Sequence, residues 1–510
     1  MDDWTDGYVA DLEYTHGYYS ELNPQRVALA FLNAGLAVPA LRNACELGFG
    51  QGLSINLHAA AGGAQWWGTD FNPSQAAFAR ELGSHGGNPA LFDHAFDEFC
   101  ARTDLPEFDY IGLHGIWSWV SDDNRRVIAD FIRRKLKVGG VVYVSYNTMP
   151  GWSAMAPLRG LLTAHSEQMG APGMGRVQRI EAALEFADRL LAAKPGYALA
   201  NPGVAERLKQ LKAQNRNYLA HEYFNRDWAP MSFEQMAGWL ESAKLGFACS
   251  ANLLDHVEQI NLTAQQRELL RGIPDPAFRQ TVRDFCVNQQ FRKDYWVRGA
   301  RRLSPGEQAE ALRALSFVLA QPRADVPLKV QGSLGAAAMQ ESVYAPVLDA
   351  FGDQAPHTLG DIHDRLGSGG ITLAQLTEAV ILLVGNGSLF PAQDEAGIAR
   401  ARPAAQRINA WLCSRARNAA EVQYLASPVT GGGVHVPRFS QLFLAAARDG
   451  NPAPAELARQ VWRTLAAQNQ RIVKDGQALE SETANVAELE SQARTFVESQ
   501  LPVLRALGIA

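Results

Sequence analysis

The stretch Cys45-Glu46-Leu47-Gly48-Phe49-Gly50-Gln51-Gly52 decides the fold. An apolar run with one acid in it feeds a turn that has glycine at every second position. From Leu53 to about Ala61 the pattern is helical, and Gln65-Trp66-Trp67-Gly68-Thr69 then reads as a short strand ending at Asp70. Strand, glycine turn, helix, strand and acid, in that order, are what an open parallel sheet uses to hold a ribose. Glycine lets the backbone approach a ligand, and a carboxylate accepts from the two ribose hydroxyls. A dinucleotide fingerprint needs its third glycine where this chain has Leu53, so a pyrophosphate cradle is ruled out.

On the N-terminal side, residues 24–37 open with Pro24 and carry apolar residues at helical spacing, and the first strand spans 42–47. On the other side, Asn72 reads as an N-cap, Pro73 as the first helical residue and Gln75 as the capping-box partner of a helix running through Leu82. Further strands are expected at 91–96, 108–113 and 141–146. The helix between the last two, 121–136, ends in Arg133, Arg134 and Lys135, which suits a helix C-terminus. Strands alternating with helices argue a parallel sheet. Residues 151–216 are helical, and strands are expected again at 218–224 and 246–254, with a helix from Ser232 between them. A helical insertion therefore interrupts the α/β core.

Beyond residue 256 the pattern is mostly helical. Helices at 358–366 and 372–384, followed by Gly387-Ser388-Leu389-Phe390-Pro391, resemble a winged-helix unit used for protein contacts. Gly431-Gly432-Gly433 lies in the segment 427–437 with no Lys-Ser/Thr after it, so a flexible loop is expected there rather than a phosphate cradle. Arg292, Lys293, Arg298, Arg301 and Arg302 among Phe291, Tyr295 and Trp296 read as the solvated face of a helix. The last helices fall at about 452–470 and 486–505.

The chain has 510 residues, enough for about two to four domains, and is 47% hydrophobic and 20% charged, as soluble globular proteins are. A net charge of −6 argues against a nucleic-acid partner. Five scattered cysteines with no C-x-x-C indicate neither a disulfide framework nor a metal site. The start Met1-Asp2-Asp3 fits no signal peptide, and no apolar run approaches the ~20 residues of a membrane span, so a cytoplasmic location without membrane insertion is expected.

The pattern Glu-x-Gly-x-Gly-x-Gly at 46–52 resembles motif I of class I S-adenosylmethionine (AdoMet) methyltransferases. The runs Phe108-Asp109-Tyr110-Ile111-Gly112-Leu113-His114-Gly115-Ile116-Trp117-Ser118-Trp119-Val120, Ser145-Tyr146-Asn147-Thr148-Met149-Pro150-Gly151-Trp152 and His221-Glu222-Tyr223-Phe224 extend the likeness. Together they resemble bacterial class I methyltransferases that carry a methyltransferase regulatory domain, a group that includes the rickettsial outer-membrane-protein lysine methyltransferases. The likeness covers about residues 10–300.

It implies a Rossmann-like AdoMet-binding core over 1–150, a helical dimerisation insert over 151–216 and the last strands of the core over 217–255. Mostly α-helical domains follow: a middle domain over 256–345, the winged-helix-like segment over 346–400 and a C-terminal domain over 401–510. A homodimer is expected through the insert. Glu46, Gly48, Phe49, Gly50 and Gly52 would form the cofactor turn, and Asp70, Phe71 and Asn72 the ribose side. Ala95 and Phe96 would flank adenine. His114 is assigned to both cofactor and acceptor, and Trp117, Tyr146 and Asn147 to the acceptor side. Tyr18, from the segment Tyr14-Thr15-His16-Gly17-Tyr18-Tyr19, would close over it, since tyrosines confine methylammonium groups through cation–π contact.

Methyl transfer from AdoMet is an in-line displacement. An amine must lose its proton before attack, and a hydroxyl needs a base during attack. No Asn-Pro-Pro-Tyr or Asp-Pro-Pro-Tyr follows the fourth strand, which disfavours nucleobase amines. The expected acceptor is the side chain of a protein lysine. The alternatives are a glycan hydroxyl, with His114 as general base, and a degenerate scaffold with no catalysis.

Overall fold

The glycine turn sits at the carboxyl edge of a seven-stranded sheet with order β3-β2-β1-β4-β5-β7-β6. In the computed structural model, residues 15–171, 173–447 and 453–510 are described. The strands are β1 (Asn43–Leu47), β2 (Gln65–Thr69), β3 (Ala90–Phe92), β4 (Phe108–Leu113), β5 (Leu136–Asn147), β6 (Gly246–Ser250) and β7 (Phe291–Val297). The first five are parallel, and β7 runs antiparallel to both β5 and β6.

Helices cover both faces. They begin with α1 (Pro24–Asn33), α2 (Leu53–Ala61), α3 (Pro73–Ser84), α4 (Phe96–Cys100) and α5 (Asp122–Lys135). Both faces being covered explains why β4 reads as an unbroken buried run rather than an alternation. Ala44, Tyr110 and Tyr143 pack toward α1, while Cys45, Ile111 and Val142 pack toward α5. Asn72 caps α3 through Ser74, whose N–H and hydroxyl both donate to Asn72 Oδ1. Gln75 is buried instead of closing a capping box. The third strand stops at Phe92, because the chain turns into α4 at Phe96.

The insertion lies between β5 and β6 and comprises α6 (Ala156–Gln168), α7 (Arg176–Ala192), α8 (Gly196–Ala200), α9 (Val204–Lys212) and α10 (Arg216–Tyr223). It has its own apolar centre, built from Trp152, Leu158, Leu162, Ile180, Leu184 and Leu208. The strand expected at 218–224 is α10. Leu219, Ala220 and Tyr223 recur at helical spacing and pack into that centre, which overrides the β-preference of the tyrosines. The helix expected from Ser232 is α11 (Phe233–Glu241), closed by a Ser232–Gln235 capping box.

The strand expected at 246–254 is β6, at the edge of the sheet, whereas the strand between it and β5 is β7, which lies beyond 217–255. Residues 291–297 were expected as a solvated helix face because Arg292 and Lys293 are charged. Arg292 is in fact buried, bonded to Asp284 at 2.6 Å and to Asp294 at 2.7 Å. The core therefore extends to Val297 and takes in part of the stretch expected as a helical middle domain.

Further along, Ser316–Leu319, His357–Thr358 and Leu389–Ala392 form a three-stranded sheet beside the helices Leu359–Leu366 and Leu373–Gly385. The loop expected at 427–437 is a hairpin of Tyr424–Ser427 and Gly432–His435. An added Cβ at Gly432 or Gly433 would lie 2.4 or 2.8 Å from Tyr18, so glycine here serves close packing rather than flexibility. Leu425 and Val434 of the hairpin join Leu53 and Leu57 of α2 in one apolar cluster. Among the described residues, no helix is long and apolar enough to cross a membrane.

Candidate functional site

A cavity of about 420 Å³ opens beyond the carboxyl ends of β1, β2 and β4, where open α/β sheets bind ligands. Its floor is the turn after β1. Gly48 and Gly50 have φ of +72° and +58°, which side chains rarely adopt. A Cβ at Gly48 would lie 2.3 Å from Ile116 Cδ1, closing the floor. Gly52 does not line the cavity: it starts α2, and a Cβ there would lie 2.5 Å from Ala79 of α3.

Asp70 follows β2 and lines the cavity. Its Oδ2 accepts from Gly50 N–H at 2.8 Å and its Oδ1 from Asn72 N–H at 3.0 Å. A carboxylate has about four acceptor positions, so two remain for a ligand. Burial raises its pKa to about 6, against the lowering effect of the two N–H groups. Glu46 lies one layer deeper, between Gly68 and Gly112 of the flanking strands. It is 2% exposed, and its Oε2 has no hydrogen-bond partner among the described residues. Burial and the neighbouring Asp70 raise its pKa to about 8.

Phe71, Ala95 and Phe96 form an apolar side of the cavity beside Asp70, and Phe49 and Gly50 continue the turn. Asn72 serves as the α3 cap and as a backbone donor to Asp70. His114, after β4, lines the opposite side with Trp119. Its Nδ1 is 2.8 Å from the Tyr143 hydroxyl, and its ring is stacked on Tyr19 with centroids 3.4 Å apart. Burial lowers its pKa to about 3, with Glu21 opposing and Lys293 assisting. Lys293 Nζ and Glu21 Oε1 are paired at 2.6 Å.

Four of the expected acceptor-side residues lie outside the cavity. The Tyr18 hydroxyl is 3.0 Å from His58 Nε2, and its ring leans on Tyr424. Neighbouring side chains of an extended segment point opposite ways, so Tyr19 faces the cavity in its place. Trp117 is fully buried against Trp239. The Tyr146 hydroxyl donates to Asp294 at 3.0 Å, and the Asn147 N–H donates to Ser118 Oγ at 2.8 Å. Tyr146 and Asn147 are thus tied down at the end of β5, and neither lines the cavity. Tyr14 lies outside the described residues.

The sequence reading missed Tyr19, Ile116, Asp123, Asn225 and Asp227, all of which line the cavity. Tyr19 was within reach, being next to Tyr18 in an aromatic segment. Asn225 and Asp227 carry no local signal, because the end of the insertion brings them there. Arg159, which is buried in the insertion, fixes that approach by donating to the Asn225 carbonyl at 2.6 Å.

Comparison with known proteins bears on this arrangement. The family described as a predicted methyltransferase regulatory domain matches residues 215–298, which span α10, β6 and β7. The chain is 41% identical over 513 residues to the uncharacterized protein sll1526 of Synechocystis sp. (strain ATCC 27184 / PCC 6803 / Kazusa), covering 99% of this chain and 100% of that protein. It is 27% identical over 305 residues to the uncharacterized protein RP789 of Rickettsia prowazekii (strain Madrid E), covering 56% and 53% of the two chains. The structure of PKMT2 from Rickettsia typhi in complex with AdoHcy superposes with a TM-score of 0.70 at 17% identity, covering 97% of this chain and 100% of that one.

Proposed function

With the chain belonging to the family of the Synechocystis protein sll1526 and its core being that of a class I AdoMet-dependent methyltransferase, we propose that it methylates the ε-amine of lysine side chains in proteins. The cofactor side rests on Asp70. A carboxylate oriented by two backbone N–H groups, beside a glycine floor and an apolar wall, fits a ribose with adenine against Phe71, Ala95 and Phe96. When bound, AdoMet supplies an electrophilic methyl group on a sulfonium. A cavity of about 420 Å³ falls in the ~300–1,000 Å³ range of small-molecule sites.

The observation that carries the choice of acceptor is the make-up of the cavity rim. Asp97, Asp123 and Asp227 line the same opening as the stacked pair Tyr19 and His114 and the ring of Trp119. Asp123 and Asp227 are each paired with an arginine, Arg126 and Arg226, and Asp97 has no ion pair among the described residues. A carboxylate draws in an ammonium, and aromatic faces hold an alkylammonium once it is out of bulk water. Asp123 stands at the start of α5 and Asp227 at the end of the insertion, so core and insertion both contribute to the entry. The close fit of Tyr19 over His114 excludes water from one side of the site, as lids of transferases do.

The test is transfer of label from methyl-labelled AdoMet to proteins of a cell lysate, followed by acid hydrolysis. Label recovered as methyllysine is the expected result. Label found in polysaccharide, with none in protein, would replace the lysine reading with the glycan one.

A further inference from the structure

Beneath the cavity, the His114 ring meets the Tyr143 phenol, and the direction of the hydrogen bond between them is fixed by its surroundings. The Tyr143 hydroxyl lies 2.8 Å from His114 Nδ1. Ser145, two residues further along β5, has its Oγ turned to the Gly115 N–H, from which it accepts at 2.8 Å. If Tyr143 donates to Nδ1, its proton meets an acceptor. In the reverse order the phenol accepts from Nδ1, and its own proton is left without an acceptor in a fully buried site. Buried donors without partners are disfavoured.

We propose that this hydrogen bond fixes His114 in the tautomer protonated at Nε2, so that the atom it presents to the cavity is a hydrogen-bond donor and not a base. His114 Nε2 has no protein partner among the described residues, and it is not among the buried unpartnered atoms, so it is open to the cavity that the ring lines. The ring cannot turn to exchange its nitrogens. Tyr19 covers one face at 3.4 Å between centroids, and Phe291 meets it edge-on at 6.5 Å. The charged groups facing it are Glu21 and Lys293, which neutralise each other at 2.6 Å. Burial pushes the imidazole pKa down to about 3, so the ring is neutral above that.

The proposal deepens the methyl-transfer reading and rests on it for its chemical consequence. A hydroxyl acceptor needs a base at the moment of attack, and this His114 has no free lone pair to offer it. An amine that has lost its proton to solvent before entering needs only to be oriented. His114 then serves by holding an acceptor atom of the bound reactants, and Tyr143 is a positioning residue that acts through it.

The experiment is ¹⁵N spectroscopy of the histidine side chains in the full chain, with the His114 signals identified by their loss in His114→Gln. The expected result is an unprotonated, hydrogen-bonded Nδ1 and a protonated Nε2, with Nδ1 moving in Tyr143→Phe. A protonated Nδ1 in the wild-type chain, or signals that Tyr143→Phe leaves in place, overturns the proposal. This readout needs no turnover, so it stands apart from failure of the methyltransferase reading.

Turnover supplies a second measurement. His114→Gln keeps an N–H donor without basicity and is expected within roughly 10-fold of wild type, whereas His114→Ala loses the hydrogen bond and about 100-fold. Neither change moves the acidic limb of the pH–rate profile. A His114→Gln enzyme as slow as His114→Ala, or loss of that limb in either variant, makes His114 a base and sinks the idea.

Discussion

Asp70 ties cofactor binding to pH. Burial holds its carboxyl near 6 in the free protein, and a ribose prefers the ionised form as acceptor. Calorimetric affinity for AdoMet should therefore rise as pH passes through 6 and level off above 7. Asp70→Asn should weaken binding by about 2–3 kcal/mol, roughly 30- to 150-fold, and flatten that rise. Equal wild-type affinity at pH 5 and pH 7.5 would remove Asp70 from the site. Glu46 acts on stability instead. Its pKa is raised from 4.5 to about 8, so the fold keeps a proton that the unfolded chain gives up. The resulting stabilisation is complete below about 4.5 and is lost as pH rises through 8, with a slope of at most about 1.4 kcal/mol per pH unit. Glu46→Gln should melt close to wild type at pH 5 and increasingly above it by pH 9. Both acids were legible in the sequence because their signal is local, an acid at each strand end around a glycine turn. Tyr19 was not, since the choice between two adjacent tyrosines is made by His58 and Tyr424, which pack on Tyr18 from far along the chain.

Among the elements, β7 shows how a buried charge hides a strand. Arg292 lies beneath the sheet with Asp284 and Asp294, over the ring of Phe233 at 4.6 Å. Removing the cation leaves two buried carboxylates unpaired. Arg292→Met should cost about 3–5 kcal/mol, read as a lower denaturation midpoint, and neutralising both acids in the same chain should recover much of it. If Arg292→Met alone is neutral, the network contributes nothing to the fold. Hydrophobic pattern counting expects charge outside, so it turned 291–297 into a helix face. The opposite error at 218–224 arose because Tyr218, Tyr223 and Phe224 favour strands, while the partners that make the segment helical are the other insertion helices. The insertion itself was legible, since the core needed two more strands than its first 150 residues supply. Triple glycine misled in another way: at 431–433 it admits Tyr18 instead of loosening the backbone.

For the whole molecule, the C-terminal region is part of the core's support. Ile408, Leu425 and Val434 cover Leu53 and Leu57 on the outer side of α2, the helix that leaves the glycine turn. A chain cut after residue 400 bares those leucines, each worth about 1.5–3 kcal/mol when buried. It should sediment as aggregate and fail to bind AdoMet. A soluble truncated chain with the affinity of the full one would show the two halves to be independent. None of this docking was legible from sequence, because an amphipathic helix announces that it has an apolar face and not which neighbour covers it.

The strap that carries Tyr19 is pinned at Asn23, whose Nδ2 donates to the Thr430 carbonyl 407 positions away. On the ribosome the order of synthesis is the reverse of what this latch requires. The glycine turn and Asp70 emerge early, while the hairpin that secures the strap emerges hundreds of residues later. A nascent chain thus carries the makings of a cofactor pocket long before its aromatic wall is fastened. Fastening of that wall is thereby deferred until Thr430 has been made and folded against Asn23.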